Sequence, residues 1–150
     1  MKPEDEPTFS ALDDTEAAIL TIYGEARGEP FDGKCGVAVV IANRAEKWGK
    51  RVKDICLQKN QFSCYLSNDP NYPKLLKIAQ DFSHELLVNS ALDECSQAWR
   101  YRTPQILEKL GDSTFYRVHG TVNGWFDMAV ATGKLVYVTS IEKHDFYREA

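Results

Sequence analysis

Residues 13–48 constrain the fold more than any other part of the chain, because they contain two apolar helical patterns separated by a single proline. The first pattern begins at Asp13 or Asp14, acidic residues that can cap a helix, and Pro30 prevents it from continuing. The second pattern, residues 34–48, is the most apolar helix candidate. Its β-branched residues would also suit a strand, but its apolar residues continue at helical spacing to its end. We therefore predict two buried helices.

The end of the first helix, IYGEARGEP at residues 22–30, contains residues that a helix usually avoids. Gly24 and Gly28 each cost about 1 kcal/mol relative to alanine in a helix interior. Glu25 and Glu29 are like charges four residues apart, which also destabilises an isolated helix. Spacing alone leaves two interpretations open: a weak helix end with solvated glutamates, or a functional site that needs these residues.

In the functional interpretation, Glu25 is a general acid. It lies on the same side of the helix as Ile22, at the edge of the apolar stripe. Burial, repulsion from Glu29 and the negative end of the helix dipole would each raise the pKa of this carboxyl group. A carboxyl group that stays protonated near neutral pH can donate a proton during catalysis. The two glycines, lacking side chains, would let a bulky ligand approach the helix.

The rest of the chain reads as short helices followed by strands. A turn is expected at residues 31–34, and a long loop with interleaved aromatic residues at 59–73, where long irregular segments are often functional. Residues 119–125 are predicted to form a second loop. Further helices are predicted at residues 52–58, 73–88 and 90–101 and from residue 104, and strands at 113–118, 134–141 and 144–150.

These patterns predict an α+β fold: a mainly helical single domain with a small antiparallel sheet in its C-terminal third. We expect residues 1–12 to form an acidic flexible N-terminus and residues 13–150 to form the catalytic domain. The net charge is −4 overall and −5 within residues 1–16, which argues against nucleic-acid binding through that end. A basic cluster at residues 47–53 is expected to be a solvated loop.

Several partners and compartments are excluded at this stage. The longest apolar run, residues 37–42, is too short to cross a bilayer, so no stable membrane insertion is expected. The first ten residues do not resemble a secretory signal. The four cysteines form no CxxC pair and have no zinc-like spacing with the histidines, so we expect reduced thiols, with Cys35 and Cys95 in the core. We expect no metal, no cofactor and a monomer.

Five sequence blocks, in order, resemble the SleB-type cell wall hydrolase family, which includes spore-cortex-lytic enzymes and their phage and bacterial relatives. The resemblance covers roughly residues 15–148. The first block is highly specific, whereas the later ones are short. The blocks are IYGEARGEP, GVAVVIANRAEKW, QFSCY, GDSTFYRV and HDFYRE.

This resemblance implies a lysozyme-like fold and lytic transglycosylase activity on the glycan strand of peptidoglycan. Glu25 matches the catalytic acid of the family. Tyr23, Tyr65, Tyr116 and Trp125 are candidate platforms for sugar rings. The candidate substrate-binding residues are Glu29, Gln61, Phe62, Ser63, Tyr65, Thr114, Tyr116, Trp125 and His144, of which Glu29 has a role that stays open between an orienting partner and a helix-end charge.

Two positions depart from the family pattern. Phe115 stands where the family usually has a histidine before the tyrosine of the strand motif, so any polar role of that histidine must be absent or supplied elsewhere. Cys64 stands where the family often has an aromatic residue after Q-F-S, which would alter a sugar subsite. Neither departure changes Glu25.

Three other functions remain as alternatives. A hydrolytic muramidase would use Glu29 or Asp32 as a second carboxylate. A cysteine amidase or peptidase would pair Cys35 or Cys64 with His144 or His119. A non-catalytic relative would bind glycan without cutting it.

The biological setting follows only from the resemblance and from the lack of a signal. We expect a phage endolysin that accumulates in the host cytoplasm and reaches the wall after release through a membrane pore, or a lysin carried in a phage particle.

Overall fold

The computed structural model describes residues 1–150, which form nine α-helices and a three-stranded sheet. The helices come first, and the sheet is formed entirely by the last third of the chain. This confirms the predicted mainly helical α+β fold. The elements are α1 (Glu6–Ser10), α2 (Asp14–Ala26), α3 (Phe31–Trp48), α4 (Val52–Leu57), α5 (Tyr72–Gln80), α6 (Phe82–Val88), α7 (Ser90–Arg100), α8 (Pro104–Leu110), β1 (Phe115–Val118), α9 (Gly124–Ala131), β2 (Leu135–Ile141) and β3 (His144–Glu149).

Helix α2 is the centre of the helical core. Every residue of α2 from Ala17 to Gly24 is buried, and the helix packs against α3, α4, α5 and α7. Asp13 caps the helix where the sequence predicted: its Oδ1 accepts a 2.8 Å hydrogen bond from the backbone N–H of Glu16, and Oε1 of Glu16 accepts one of 2.9 Å from the backbone N–H of Asp13. Burial on all sides makes α2 a rigid support for Glu25 in its last turn.

The predicted turn at residues 31–34 is wrong, because these residues form the first turn of α3. Helix α2 has already ended at Ala26, and Pro30 is the N-cap residue immediately before α3. In the sequence, Gly33 suggested a turn, but in the structure the glycine is needed for close packing. A Cβ atom at Gly33 would lie 2.9 Å from the Cβ of Glu29, so the glycine makes room for that glutamate.

Two further helical boundaries differ from the prediction. The single helix predicted at residues 73–88 is broken at Asp81, whose backbone is not helical, into α5 and α6. The apolar pattern continues through this break and therefore gives no sign of it. Helix α9 was not predicted. Its cap is Asn123, whose Oδ1 accepts a 3.0 Å hydrogen bond from the backbone N–H of Phe126.

The sheet is antiparallel with the order β1-β3-β2. In β1, Tyr116 pairs with Phe146 of β3, and Val118 pairs with His144. Residues 116, 144 and 146 therefore lie on one face of the sheet. Phe146 packs in a small core with residues of α3, while α9 packs against the other side of the strands around Tyr147. This arrangement brings Tyr116 to the end of α2.

The N-terminal segment is part of the packed fold, contrary to the expected flexible terminus at residues 1–12. It contains a 3-10 turn at Pro3–Asp5 and helix α1, and Phe9 is fully buried among core residues. The hydroxyl of Tyr72 bridges this segment to α5 through its contacts with Lys2 and Asp5. The acidic composition suggested disorder, but the buried side chains of Phe9 and Leu12 anchor the segment to the core.

None of the helices combines the length and apolar character needed to cross a bilayer. All four cysteines are buried free thiols, which confirms the prediction that Cys35 and Cys95 are core residues.

Candidate active site

Glu25 lies in the last turn of α2, half-buried at the base of a surface cavity. The hydroxyl of Tyr116, from β1, donates a 2.6 Å hydrogen bond to its Oε1. Burial raises the pKa of Tyr116 well above its usual range, so this residue remains a hydroxyl donor.

Burial is the main reason that the pKa of Glu25 is raised above its usual value. The hydrogen bond from Tyr116 and the contacts with Cys64 act in the opposite direction, since they stabilise the carboxylate. The negative charge of Asp69 has a smaller upward effect on the pKa of Glu25. From the sequence, we expected this repulsion to come from Glu29. The net effect is a raised pKa, in the direction expected from the sequence, but the charged neighbour that contributes to it is Asp69 and not Glu29.

Gly24 does not open space for a ligand, which corrects the expectation from the sequence. A Cβ atom at this position would lie 2.7 Å from both the Cβ and the Sγ of Cys64. The glycine therefore lets the loop that follows α4 approach the helix backbone beside Glu25. Gly28 has no atom near its Cβ position and lies beyond the end of α2. Cys64 is buried, so it does not form a sugar subsite.

The cavity at Glu25 has a volume of about 320 Å³. The predicted loop residues Gln61, Phe62 and Ser63 line it, as does Tyr116. Asn60, immediately before them, has a left-handed backbone with φ of 65°, a conformation that asparagine adopts more readily than most residues. The structure thus brings the catalytic acid, the Q-F-S loop and the strand tyrosine to one site.

A second cavity of about 630 Å³ continues from the first. The two share several lining residues, among them Asn60, Tyr116 and Phe126, so they form one groove. The second cavity is bounded by Trp48 and by Trp125, whose side chain is 62% exposed. The structure therefore places the predicted sugar platform Trp125 in the groove but away from Glu25.

Four predicted substrate-binding residues do not line the groove. Thr114 is fully buried beside α3, where its carbonyl oxygen accepts a hydrogen bond from Arg44. Tyr65 is buried with its hydroxyl 2.8 Å from that of Thr21. Glu29 and His144 are buried together behind Tyr116. Tyr23, proposed as a sugar platform, is likewise a core residue.

Arg44 is the main site residue that the sequence analysis missed. It lines both cavities, although only 4% of the residue is exposed. Its Nε donates a 2.6 Å hydrogen bond to the carbonyl of Thr114, and its guanidinium lies over the rings of Trp48, Phe62 and Phe115. The sequence did contain a sign of this role, because Arg44 is a charged residue one turn after Val40 and Ile41 in the most apolar helix candidate.

The family model described as Cell Wall Hydrolase matches residues 28–147. The chain belongs to the cell wall hydrolase family. This confirms the resemblance seen in the sequence and makes the protein a cell-wall-degrading enzyme. The match begins three residues after Glu25, so the role of Glu25 depends on its geometry and on its position in the first sequence block. No curated protein sequence is significantly similar to the chain.

Two solved structures share the fold of this cell wall hydrolase. The catalytic domain of the germination-specific lytic transglycosylase SleB from Bacillus anthracis is 20% identical, with a TM-score of 0.61, and the alignment covers 90% of this chain and 93% of that one. The catalytic domain of the Bacillus cereus SleB protein is also 20% identical, with a TM-score of 0.60 and coverage of 90% and 89%. At this identity the similarity establishes the fold.

The alternative nucleophiles and second acids lie outside the groove of this cell wall hydrolase. Neither Glu29 nor Asp32 lines either cavity. Burial raises the pKa of Cys35 and raises that of Cys64 well above its usual range, so neither thiol is activated as a thiolate. The histidines that a cysteine enzyme would need contact carboxylates instead: His144 contacts Glu29, and His119 contacts Asp145.

Phe115, the position at which the resemblance led us to expect a histidine, makes apolar contacts. Its ring packs against Trp48, Trp125 and Phe126 and lines the second cavity. The guanidinium of Arg44 lies over the same ring. Phe115 thus forms part of an aromatic wall of the groove.

Proposed function

We propose that this cell wall hydrolase is a lytic transglycosylase that cleaves the β-1,4 bond between N-acetylmuramic acid and N-acetylglucosamine and leaves a 1,6-anhydro end. One observation carries the proposal: Glu25 is the only carboxylate among the residues that line the two cavities. Most glycosidases that use water have a second carboxylate across the bond. A transglycosylase does not need one, because its nucleophile is a hydroxyl group of the substrate.

The reaction can be written with Glu25 as the only proton carrier. Its carboxyl proton is transferred to the glycosidic oxygen as the bond to C1 of the muramic acid breaks, and N-acetylglucosamine leaves with that proton. The carbonyl oxygen of the muramyl N-acetyl group stabilises the positive charge that develops at C1. The Glu25 carboxylate then takes the proton of the C6 hydroxyl while O6 bonds to C1. The anhydro ring closes and the acid is regenerated.

The residues around Glu25 suit both of its protonation states. Burial favours the neutral acid before bond cleavage. The hydrogen bond from Tyr116 and the positive charge of Arg44 stabilise the carboxylate that exists between the two proton transfers. These groups are fixed before substrate binds, so they need little reorganisation during the reaction.

The released products test this proposal. Muropeptides from purified walls treated with the wild-type enzyme and with Glu25→Gln are compared by mass spectrometry. We expect anhydromuramyl ends from the wild type, which are lighter by one water than hydrolysed ends, and a rate lower by about 10²- to 10⁴-fold for the variant. Reducing muramyl ends from the wild type would contradict the proposal in favour of a hydrolytic muramidase. Binding to walls without cleavage would favour a non-catalytic glycan-binding protein.

The biological role as a phage endolysin, or as a lysin of a phage particle, is a further hypothesis, as is action as a monomer. The endolysin hypothesis predicts that the chain, produced in the cytoplasm of a susceptible bacterium, lyses the cells only when a separate pore-forming protein opens the membrane. Lysis without such a pore, or no lysis with it, would contradict the endolysin role while leaving the chemical proposal unaffected.

A further inference from the structure

Glu29 and His144 form a buried polar pair that the proposed reaction does not use. About 6% of each side chain is exposed, and Nδ1 of His144 lies 2.9 Å from Oε1 of Glu29. The two atoms are in close polar contact, but the angles between them are not those of a hydrogen bond. The other oxygen of Glu29 lies 3.4 Å from Nζ of Lys143, which is largely exposed. Burying a charged glutamate is costly, so its position requires a reason.

The pair lies directly behind Tyr116. The ring of His144 meets the ring of Tyr116 edge-to-face, with centroids 5.2 Å apart, and the ring of Phe146 contacts Tyr116 at 5.8 Å. Both residues come from β3, the strand that pairs with β1. The Tyr116 ring is thus held by two neighbouring rings, of which His144 is the one with a polar contact to another element.

Glu25 therefore contacts Tyr116 directly, and Glu29 is connected to the same tyrosine through His144. Glu25 accepts the hydrogen bond of the Tyr116 hydroxyl, while Glu29, four residues later in the chain, contacts the histidine that packs on the Tyr116 ring. Gly33 keeps the space that the Glu29 side chain needs. One short segment at the end of α2 thereby fixes the position of the strand tyrosine relative to the acid.

We propose that Glu29 and His144 are positioning residues, which hold the Tyr116 ring where its hydroxyl can donate to the Glu25 carboxyl group. Neither residue contacts the groove, so they act through Tyr116 and not on the substrate. The proposal rests on the proposed role of Glu25 as the catalytic acid. It also accounts for the two like charges in the first sequence block: one carboxyl group donates the proton, and the other supports the residue that tunes it.

The charge state of His144 is compatible with this role. Burial lowers the pKa of His144 below its usual value, opposed by Glu29 and assisted by Lys143, so the imidazole is neutral at neutral pH. Asp145, on the same strand, is the other charged group that affects it. A neutral ring can pack edge-to-face on Tyr116 without adding a positive charge behind it.

The decisive measurement is the pKa of Glu25 itself, read from its side-chain carboxyl carbon by NMR in the wild type, Tyr116→Phe, Glu29→Gln and the double variant. Removing a negative charge at Glu29 would by itself lower the pKa of Glu25. Loss of the Tyr116 hydrogen bond would raise it. We expect Glu29→Gln to raise the pKa, as Tyr116→Phe does, and to cause no further rise in the Tyr116→Phe background.

Kinetics give an independent readout of the same coupling. We expect Glu29→Gln to lower kcat about three- to tenfold with KM changed less than twofold, and to have no further effect on kcat once Tyr116 is replaced by phenylalanine. His144→Phe, which keeps a ring on Tyr116 but loses the contact with Glu29, is the second variant and should behave in the same way. Assays are made at a temperature at which circular dichroism shows every variant to be folded.

The matched control is His119→Asn, which changes an exposed histidine that contacts Asp145 on the same sheet and should leave the pKa of Glu25 and kcat unchanged. A fall in the pKa of Glu25 in Glu29→Gln, or equal losses of kcat in both backgrounds, would overturn the positioning role. These outcomes are separate from the reaction type, because the NMR titration requires no activity. An inactive wild type, or one that forms reducing ends, would refute the proposed function alone.

Discussion

Oε1 of Glu25 accepts a 2.6 Å hydrogen bond from the hydroxyl of Tyr116, which joins the last turn of α2 to a strand 91 residues further along the chain. The bond stabilises the carboxylate, while burial in the same place destabilises it. Burial is the larger effect, so the pKa of Glu25 is raised above its usual value, and ionising this carboxyl group as the pH rises lowers the stability of the folded protein.

Replacing Glu25 with glutamine should therefore stabilise the protein in a pH-dependent manner. The folded-state pKa of Glu25 is raised above its ordinary value near 4.5, so folding binds a proton between the two values and stability falls as the pH rises through that window. The difference grows by about 1.4 kcal/mol for each pH unit that separates the two pKa values. Glutamine has no charge to lose and can still accept the Tyr116 hydrogen bond.

Urea unfolding of the wild type and Glu25→Gln at several pH values measures this effect. We expect the variant to be more stable at neutral pH and the two proteins to converge as the pH falls below about 4. A constant difference at all pH values would show that the glutamine acts through packing and not through the charge. Activity should be lost at every pH, which separates the stability effect from catalysis.

Gly24→Ala should damage both stability and activity. Its methyl group would lie 2.7 Å from the Cβ and Sγ of Cys64, too close for the Cβ to be accommodated without moving the loop backbone. Such overpacking costs about 1–3 kcal/mol of unfolding free energy. Because Cys64 follows directly after Gln61, Phe62 and Ser63, displacement of the loop should also lower kcat/KM.

Gly28→Ala is the matched control, since no atom lies within 4 Å of its Cβ position. We expect its free energy of unfolding to stay within about 0.5 kcal/mol of the wild type and its activity to be unchanged. Differential scanning calorimetry of both variants measures the change in stability, and their wall-clearing rates measure the change in activity. Equal losses in the two variants would mean that the contact with Cys64 does not explain the glycine at position 24.

The sequence was sufficient for features that local signals encode. The start of α2 at the Asp13 cap, its end before Pro30 and the candidate acid Glu25 all follow from short-range patterns. The Q-F-S loop and Tyr116 could be placed with Glu25 only through the family resemblance, because the order of blocks along a chain does not give distances between them. The structure then brought all three to one groove.

Features that depend on long-range packing were not predictable. Gly24 and Gly33 look like helix breakers in the sequence, yet each is required by one side chain, Cys64 and Glu29 respectively. Glu29 and His144 carry the residue types of a binding site, and only the sheet register shows that they lie behind Tyr116 and not in the groove. A polar residue type predicts chemistry, but burial decides what it contacts.

We expect even the conservative substitution Arg44→Lys to damage the protein. Lysine cannot reproduce the Nε hydrogen bond to Thr114 or the planar contact with the rings of Phe62 and Phe115. We expect Arg44→Lys to lower the free energy of unfolding by about 2–4 kcal/mol and to reduce kcat/KM at least tenfold. Chemical denaturation and wall-clearing assays measure the two effects.

Arg51→Lys is the control for the arginine-to-lysine change itself. Arg51 is largely exposed and contacts Asp14 at 3.4 Å, so its replacement should cost less than about 0.5 kcal/mol and leave activity unchanged. If Arg44→Lys were as mild as Arg51→Lys, the guanidinium would not be needed to organise the groove, and its place on both cavities would be incidental.

Trp125→Ala should weaken substrate binding without affecting the fold. The indole lines the second cavity and is 62% exposed, so its apolar face is available for a sugar ring and contributes little to the core. We expect KM for soluble glycan fragments to rise about three- to tenfold, which corresponds to roughly 0.7–1.4 kcal/mol of binding free energy, with kcat changed less than twofold. The melting temperature should stay within about 2 °C of the wild type.

Met128→Ala provides a matched control on the same helix. Met128 is 63% exposed, as much as Trp125, but it lines neither cavity. Removing it should change neither KM nor the amount of Glu25→Gln protein that sediments with purified walls, whereas Trp125→Ala in that inactive background should sediment less. Similar losses from both substitutions would show that α9 binds the wall through its exposed apolar surface as a whole, and the groove would then not extend beyond the cavity at Glu25.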